Sequence, residues 1–143
     1  MTRKETRSKL LALGVRAEFL PGGFLVGDEI WELGDVNLTA ADLAGASLEG
    51  ADLTGADLEL ANLSEADLTR AKLYHADLYR ANLNGAKLIG ANLKGAILTD
   101  VTWVTPNQMA GAAQLGDAIA CPAVIAGLLS QLLNRTSKKR AKS

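Results

Sequence analysis

Residues 36–65 read VNLTA ADLAG ASLEG ADLTG ADLEL ANLSE, and the same step runs on through ADLTR AKLYH ADLYR ANLNG AKLIG ANLKG AILTD to VTWVT, ending at residue 105. Fourteen five-residue units follow one another without a slip. Leu holds the third place in thirteen of them and Trp103 in the last; Ala holds the first place in twelve, with Val36 and Val101 at the two ends. A pattern so regular decides the architecture before anything else in the chain is read.

An α-helix does not fit it. At about 100° per residue, five residues carry successive leucines round by roughly 140°, which leaves no apolar stripe. The Asp or Asn before most leucines is also a poor helix former. A straight strand fails too. Ala and Leu, two apart, share a face of extended chain, but the next Ala lies three beyond and falls on the wrong face. The backbone must therefore turn once per unit to bring it back. Gly at the fifth place of six units (Gly45, Gly50, Gly55, Gly85, Gly90 and Gly95) suits that bend. Regular bends of one hand wind the chain into a solenoid with Ala and Leu inside; the number of sides is left open.

This A-(D/N)-L-x-x register resembles the pentapeptide-repeat family. The resemblance covers residues 36–105, and it implies a right-handed, quadrilateral β-helix with four units per coil, hence about 3.5 coils. Each residue would then sit beneath the one twenty positions on. Such neighbours should attract or tolerate each other. Asp52 falls under Lys72, Asp67 under Lys87 and Arg80 under Asp100; Asp57 under Asp77 is the one like-charge stack in this register.

The charge is distributed unevenly along the chain. The net is −1 overall, but residues 36–70 carry Arg70 against Asp42, Glu49, Asp52, Asp57, Glu59, Glu65 and Asp67, whereas residues 106–143 carry five basic side chains against Asp117. Aromatic residues are 4% of the chain, so the core is aliphatic. Cys121 is the single cysteine, which rules out an intrachain disulfide and reads as a small buried hydrophobe. The apolar stretch after the basic N-terminus is too short for a signal peptide, so a cytoplasmic location is expected, and the sequons at Asn37, Asn62 and Asn134 then carry no meaning.

An open solenoid exposes backbone edges at both ends, and the flanks read as covers. Residues 1–35 are assigned as an N-terminal cap: a helix over 2–13 stopped by Gly14, then strands 15–20 and 24–31 about Pro21-Gly22-Gly23, with Phe19, Phe24 and Trp31 on the first coil. Residues 106–134 are assigned as a C-terminal helical cap. Thr105-Pro106 opens a helix over 106–115 ended by Gly116, and Pro122 opens a second helix with Ile125, Leu128, Leu129, Leu132 and Leu133 on one face. The run 118–133 is shorter than the ~20 residues a spanning helix needs. Interfacial docking of that helix with the basic tail 135–143 is the membrane alternative. The tail itself reads as disordered.

Catalytic constellations are missing from the sequence. His75 is the single histidine and, with one cysteine, makes no His/Cys zinc site. No phosphate-binding glycine loop and no nucleophile elbow occurs. The expectation is a protein without enzymatic activity, cofactor or metal. One surface departs from plain solvated decoration. Tyr74 and His75 end one side, Asp77, Tyr79 and Arg80 follow on the next, and Lys94 stands over Tyr74, placing both tyrosines beside positive charge as contact hot spots often do.

The reading is a binding or structural module whose partner is another protein. The family resemblance adds that such proteins are abundant in bacteria, notably cyanobacteria. It also supplies an alternative, since some members resemble DNA and protect or inhibit DNA gyrase. Those members are acidic, longer and rich in Phe at the central place, where this chain has thirteen Leu and no Phe. Nucleic-acid binding by the tail is the weakest option, because five charges without aromatics give only salt-sensitive attraction.

Overall fold

In a computed structural model the described residues are 1–15, 30–102 and 108, with the backbone of 119–120. Every isolated β-bridge among them joins residues twenty apart in parallel, from Glu32–Asp52 to Asn82–Thr102. Four units therefore make one coil, and the chain runs as a four-sided β-helix. Leu53 N–H donates to the Lys72 carbonyl (2.7 Å) and Lys72 N–H to the Ala51 carbonyl (2.9 Å), so each coil is tied to the next through the second and third places of each unit. Regular strand is scarce because each side contributes only this short extended piece before it turns.

The turn is equally regular. The first-place N–H reaches back to the preceding Leu carbonyl, as in Ala56 to Leu53 at 3.1 Å, and the fifth place has positive φ at every unit from Asp35 to Asp100. A positive φ at the third residue of a four-residue turn is the type II requirement. Glycine meets it without strain at the six places noted above, but Asp35, Ala40, Leu60, Glu65, Arg70, His75, Arg80 and Asp100 also adopt it. The second place explains its own preference for Asp and Asn. Its side-chain oxygen accepts the N–H two residues on, as in Asp57 to Glu59 (3.1 Å) and Asn82 to Asn84 (3.0 Å), supplying an acceptor to an amide in the bend.

Inside, Ala and Leu alternate in an unbroken core; Leu53 to Leu83 and Ala56 to Ala81 are sealed from solvent. Burying each leucine contributes roughly 1.5–3 kcal/mol before chain entropy is subtracted. The expected vertical pairs form: Asp52–Lys72 at 2.9 Å, Asp67–Lys87 at 3.2 Å and Arg80–Asp100 at 3.7 Å. In the Asp57–Asp77 stack each carboxylate takes the backbone N–H two residues on, as Asp52 and Asp67 also do, without a cation beside it among the described residues.

The register starts one unit earlier than the boundary at residue 36. Trp31 and Leu33 take the first and third places of a further unit, both buried, and Glu32 bridges Asp52. Trp31 thus lies in the core rather than on a covering hairpin. Trp31 is a large apolar residue at the first place, where Ala usually stands, so the Ala–Leu habit does not mark its unit although the spacing to Leu33 does. The proposed hairpin, with Phe19 and Phe24, falls outside the described residues.

The N-terminal helix forms as α1 (Arg3–Ala12). Thr2 and Glu5 make a reciprocal capping box, and Gly14 follows with φ of 87°. Leu10 and Thr6 are buried against the array, and Lys9 pairs with Asp42 at 2.9 Å. The Arg3 guanidinium lies 4.8 Å from the centre of the Trp31 ring. At the other end the stack continues within the segment assigned to a helical cap: β1 (Ile97–Leu98) pairs in parallel with β2 (Ile119–Ala120). The partners are 22 residues apart, two more than a regular coil. The Gln108 side-chain amide donates to the carbonyls of Leu83 (3.0 Å) and Ala86 (2.9 Å). The rest of the helix expected over 106–115, the helix from Pro122 and the tail 135–143 lie outside the described residues.

Candidate protein-interaction surface

The outward residues of one side come from the second, fourth and fifth places of its units. On the unit 71–75 these are Lys72, Tyr74 and His75; on the next, 76–80, they are Asp77, Tyr79 and Arg80. The turn between them is closed by Ala76 N–H on the Leu73 carbonyl at 3.1 Å. His75 holds the left-handed conformation at φ of 56°. It finds room because Gly95 stands over it: a Cβ at Gly95 would meet the imidazole.

The five residues singled out from the sequence resolve into two pairs and one separate cation. Tyr74 and His75 pack edge to face, ring centres 4.0 Å apart at 65°. The Arg80 guanidinium lies 5.0 Å from the centre of the Tyr79 ring and also faces Asp100. Tyr79 is anchored through its N–H on Asp77 (2.9 Å). Lys94 stands one coil above Tyr74, exposed, its N–H on Asn92 at 3.1 Å. Among the described residues no ring contact joins Lys94 to Tyr74. The corner therefore presents aromatic edges and three separate cationic groups, counting Lys72, fixed by turns rather than by a packed cleft.

Lys72 was not singled out from the sequence, although the twenty-residue spacing that pairs it with Asp52 would have placed it there. Glu32 and Asp35, on the same side two coils below, were missed because the array was started too late; the Trp31–Leu33 spacing was the available signal. Burial raises the carboxyls of Asp52 and Asp67, but hydrogen bonds from Thr54 and Lys72 to the first, and from Thr69 and Lys87 to the second, outweigh it and hold both below the usual carboxylate range. Among the described residues no group of three or more His, Cys, Asp or Glu side chains is placed to hold a metal ion. Nor does any described helix have the length and apolar character to cross a membrane.

Pentapeptide repeats match residues 32–70 and 61–100, in eight copies. A pentapeptide repeat protein from Nostoc Pcc 7120 is 33% identical over 71% of this chain and 75% of its own, with a TM-score of 0.33. The chain belongs to the pentapeptide-repeat family. Another family member, from the thylakoid lumen of Arabidopsis thaliana, is 31% identical over 55% of this chain and 69% of its own, with a TM-score of 0.34. QnrB1, a plasmid-mediated fluoroquinolone resistance protein, is 17% identical over 67% of this chain, with a TM-score of 0.37. This chain spans 65% of QnrB1's length. Pentapeptide-repeat proteins form a right-handed β-helix, the hand expected for the coils described above. No curated protein matches this chain.

Proposed function

We propose that this pentapeptide-repeat protein is a non-enzymatic interaction or structural module that holds a partner protein at the corner formed by Tyr74, His75, Tyr79, Arg80 and Lys94. Its body is a quadrilateral stack of between three and a half and four coils, with α1 as part of the N-terminal cover and the residues after 105 as the C-terminal one. The observation that carries the reading is the division of labour within each unit. The first and third places are committed to the core, so the outward places are free to vary, and both tyrosines stand there on adjoining sides, Tyr74 against the His75 ring and Tyr79 against the Arg80 guanidinium. Aromatic and arginine side chains on a rigid support lose little freedom on binding, which favours them as anchors.

The test is capture of partners by the intact protein and by a Tyr74→Ala/Tyr79→Ala variant. A protein retained by the first and lost by the second supports the reading. Equal capture by both removes the corner from it, and substrate turnover abolished by mutating surface carboxylates would overturn the non-enzymatic part. The lone Cys121 fits a reducing compartment, and the proposal places the module in the cytoplasm; fractionation of cells carrying the tagged protein checks it.

A second reading, a DNA-like modulator of DNA gyrase, draws on the first coils: between residues 32 and 69 there are nine carboxylates and no Lys or Arg. A supercoiling assay unchanged by excess protein removes it.

A further inference from the structure

Two adjoining sides of the rod turn basic in their upper coils, and an exposed isoleucine stands by the edge between them. One side stacks units 46–50, 66–70 and 86–90; the next stacks 31–35, 51–55, 71–75 and 91–95. Near their shared edge the first exposes Arg70, Lys87 and Ile89, and the second Lys72. Residues 68–75 and 86–95 contain no Asp or Glu. At the same height the other two sides carry Asp77 with Arg80 and Asp100, or Asn82 with Asn84, so cations without a carboxylate among them are confined to this part of the rod.

These groups are held in position. Lys87 and Lys72 rest on Asp67 and Asp52 one coil below, at 3.2 and 2.9 Å, yet both lysine side chains stay more than half exposed. Arg70 ends its unit with φ of 58°. A Cβ at Gly90 would stand 3.3 Å from the Arg70 Cγ, so glycine there gives the arginine room to rise past the corner above. Ile89, the residue before that glycine, is 65% exposed, more than any other large hydrophobic among the described residues.

We infer that this edge binds an extended acidic segment of a partner protein, an apolar side chain lying on Ile89 and carboxylates on Lys87, Arg70 and Lys72. The second and fourth places of a unit are about 6.5 Å apart, which is also the spacing of alternate residues in an extended chain. A segment with an acidic residue two positions to either side of an apolar one therefore meets Lys87, then Ile89, then the Arg70 and Lys72 pair. The charge below limits the length of the partner. Coils are ~4.8 Å apart, so the basic part is only about 10 Å tall. Beneath it lie Asp67, Asp52, Glu49 and Asp35. A nucleic-acid strand running along the rod, or a membrane plane laid against it, would be pressed onto those carboxylates. A short segment crossing the edge avoids them. The surface goes beyond the corner proposed above, since Lys72 and Tyr74 stand toward opposite edges of the 71–75 side.

The test is titration of the isotopically labelled full chain with a capped peptide, Glu-Ser-Leu-Ser-Glu, followed by amide chemical shifts. The expected result is shifts at Arg70, Lys72, Lys87 and Ile89 that saturate at millimolar peptide in about 0.15 M salt and vanish near 1 M, where the screening length falls from about 8 to 3 Å. Ile89→Ser and Arg70→Glu should each weaken binding about fivefold, one through the apolar contact and the other through charge. The Tyr74→Ala/Tyr79→Ala variant should bind the peptide unchanged, so failure of this surface and failure of the tyrosine corner are read separately. Absence of shifts at these four residues overturns the inference, as does equal binding of a peptide with Gln in place of Glu. Tighter binding of an oligothymidylate or of phosphatidylserine vesicles at the same residues overturns it too.

Discussion

The Thr6 hydroxyl of α1 accepts the Ser47 backbone N–H at 2.9 Å. One coil further on, the equivalent N–H of Asp67 finds the Ala46 carbonyl at 2.8 Å. A side chain from the helix therefore supplies at the open end what a neighbouring coil supplies inside. Thr6 is wholly buried and donates its own proton to the Thr2 carbonyl at 3.0 Å.

Thr6→Val keeps the shape and removes the acceptor, leaving a buried amide unpaired. The expected cost is about 1–3 kcal/mol in urea unfolding. Thr6→Ser retains the hydroxyl and should lose less. Amide exchange at Ser47 should accelerate in the valine variant alone; unchanged exchange there would show that the helix does not close this edge.

Leu60 sits half exposed at a fifth place with φ of 60°. Left-handed backbone costs a side chain with a Cβ roughly 1–2 kcal/mol, while glycine gives back part of that in unfolded-state entropy. Leu60→Gly should therefore stabilise the protein, by up to about 1 kcal/mol, against the usual effect of inserting glycine. The converse change, Gly85→Ala, combines φ of 68° with a Cβ that would meet the Glu65 carboxylate, and should destabilise by at least about 1 kcal/mol. Paired denaturation curves measure both, and opposite signs are the signature sought.

Acid should loosen the rod through three carboxylates. Asp42 is held low by the Lys9 ammonium and the Ala44 N–H; Asp52 and Asp67 stay low despite partial burial through the hydrogen bonds already described. Their unfolded pKa is about 3.9, and the folded values lie below it, so their stabilisation is complete above that pH and is lost as the pH falls through the folded values. Tm should decline below about pH 4, and replacing all three by Asn should make that decline shallower. An identical acid limb in the triple variant would place the acid sensitivity elsewhere.

The coil was legible because Ala and Leu recur in a step that neither a helix nor a straight strand accommodates, and the Asp52–Lys72 pair could be named before any coordinates. Two things were less visible. Trp31 breaks the Ala habit, so its unit was read as part of a cap; only the Trp31–Leu33 spacing betrayed it. The left-handed fifth place was inferred from glycine, yet His75 and Arg80 adopt it because the turn hydrogen bond and the coil contacts over-determine the backbone. At the corner, the residue types were readable, but their partition into Tyr74–His75 and Tyr79–Arg80 depends on side-chain directions that periodicity does not give.

The twenty-residue coil also makes the rod behave like an indexed dial. Removing a single unit would keep Ala and Leu inside, yet turn everything downstream by a quarter revolution. Asp52 would then lie beneath Asp77 instead of Lys72, and Tyr74 would face a new direction relative to α1. Only changes of four units leave the bearings of the two ends alike. Length in this chain therefore sets orientation as much as extent.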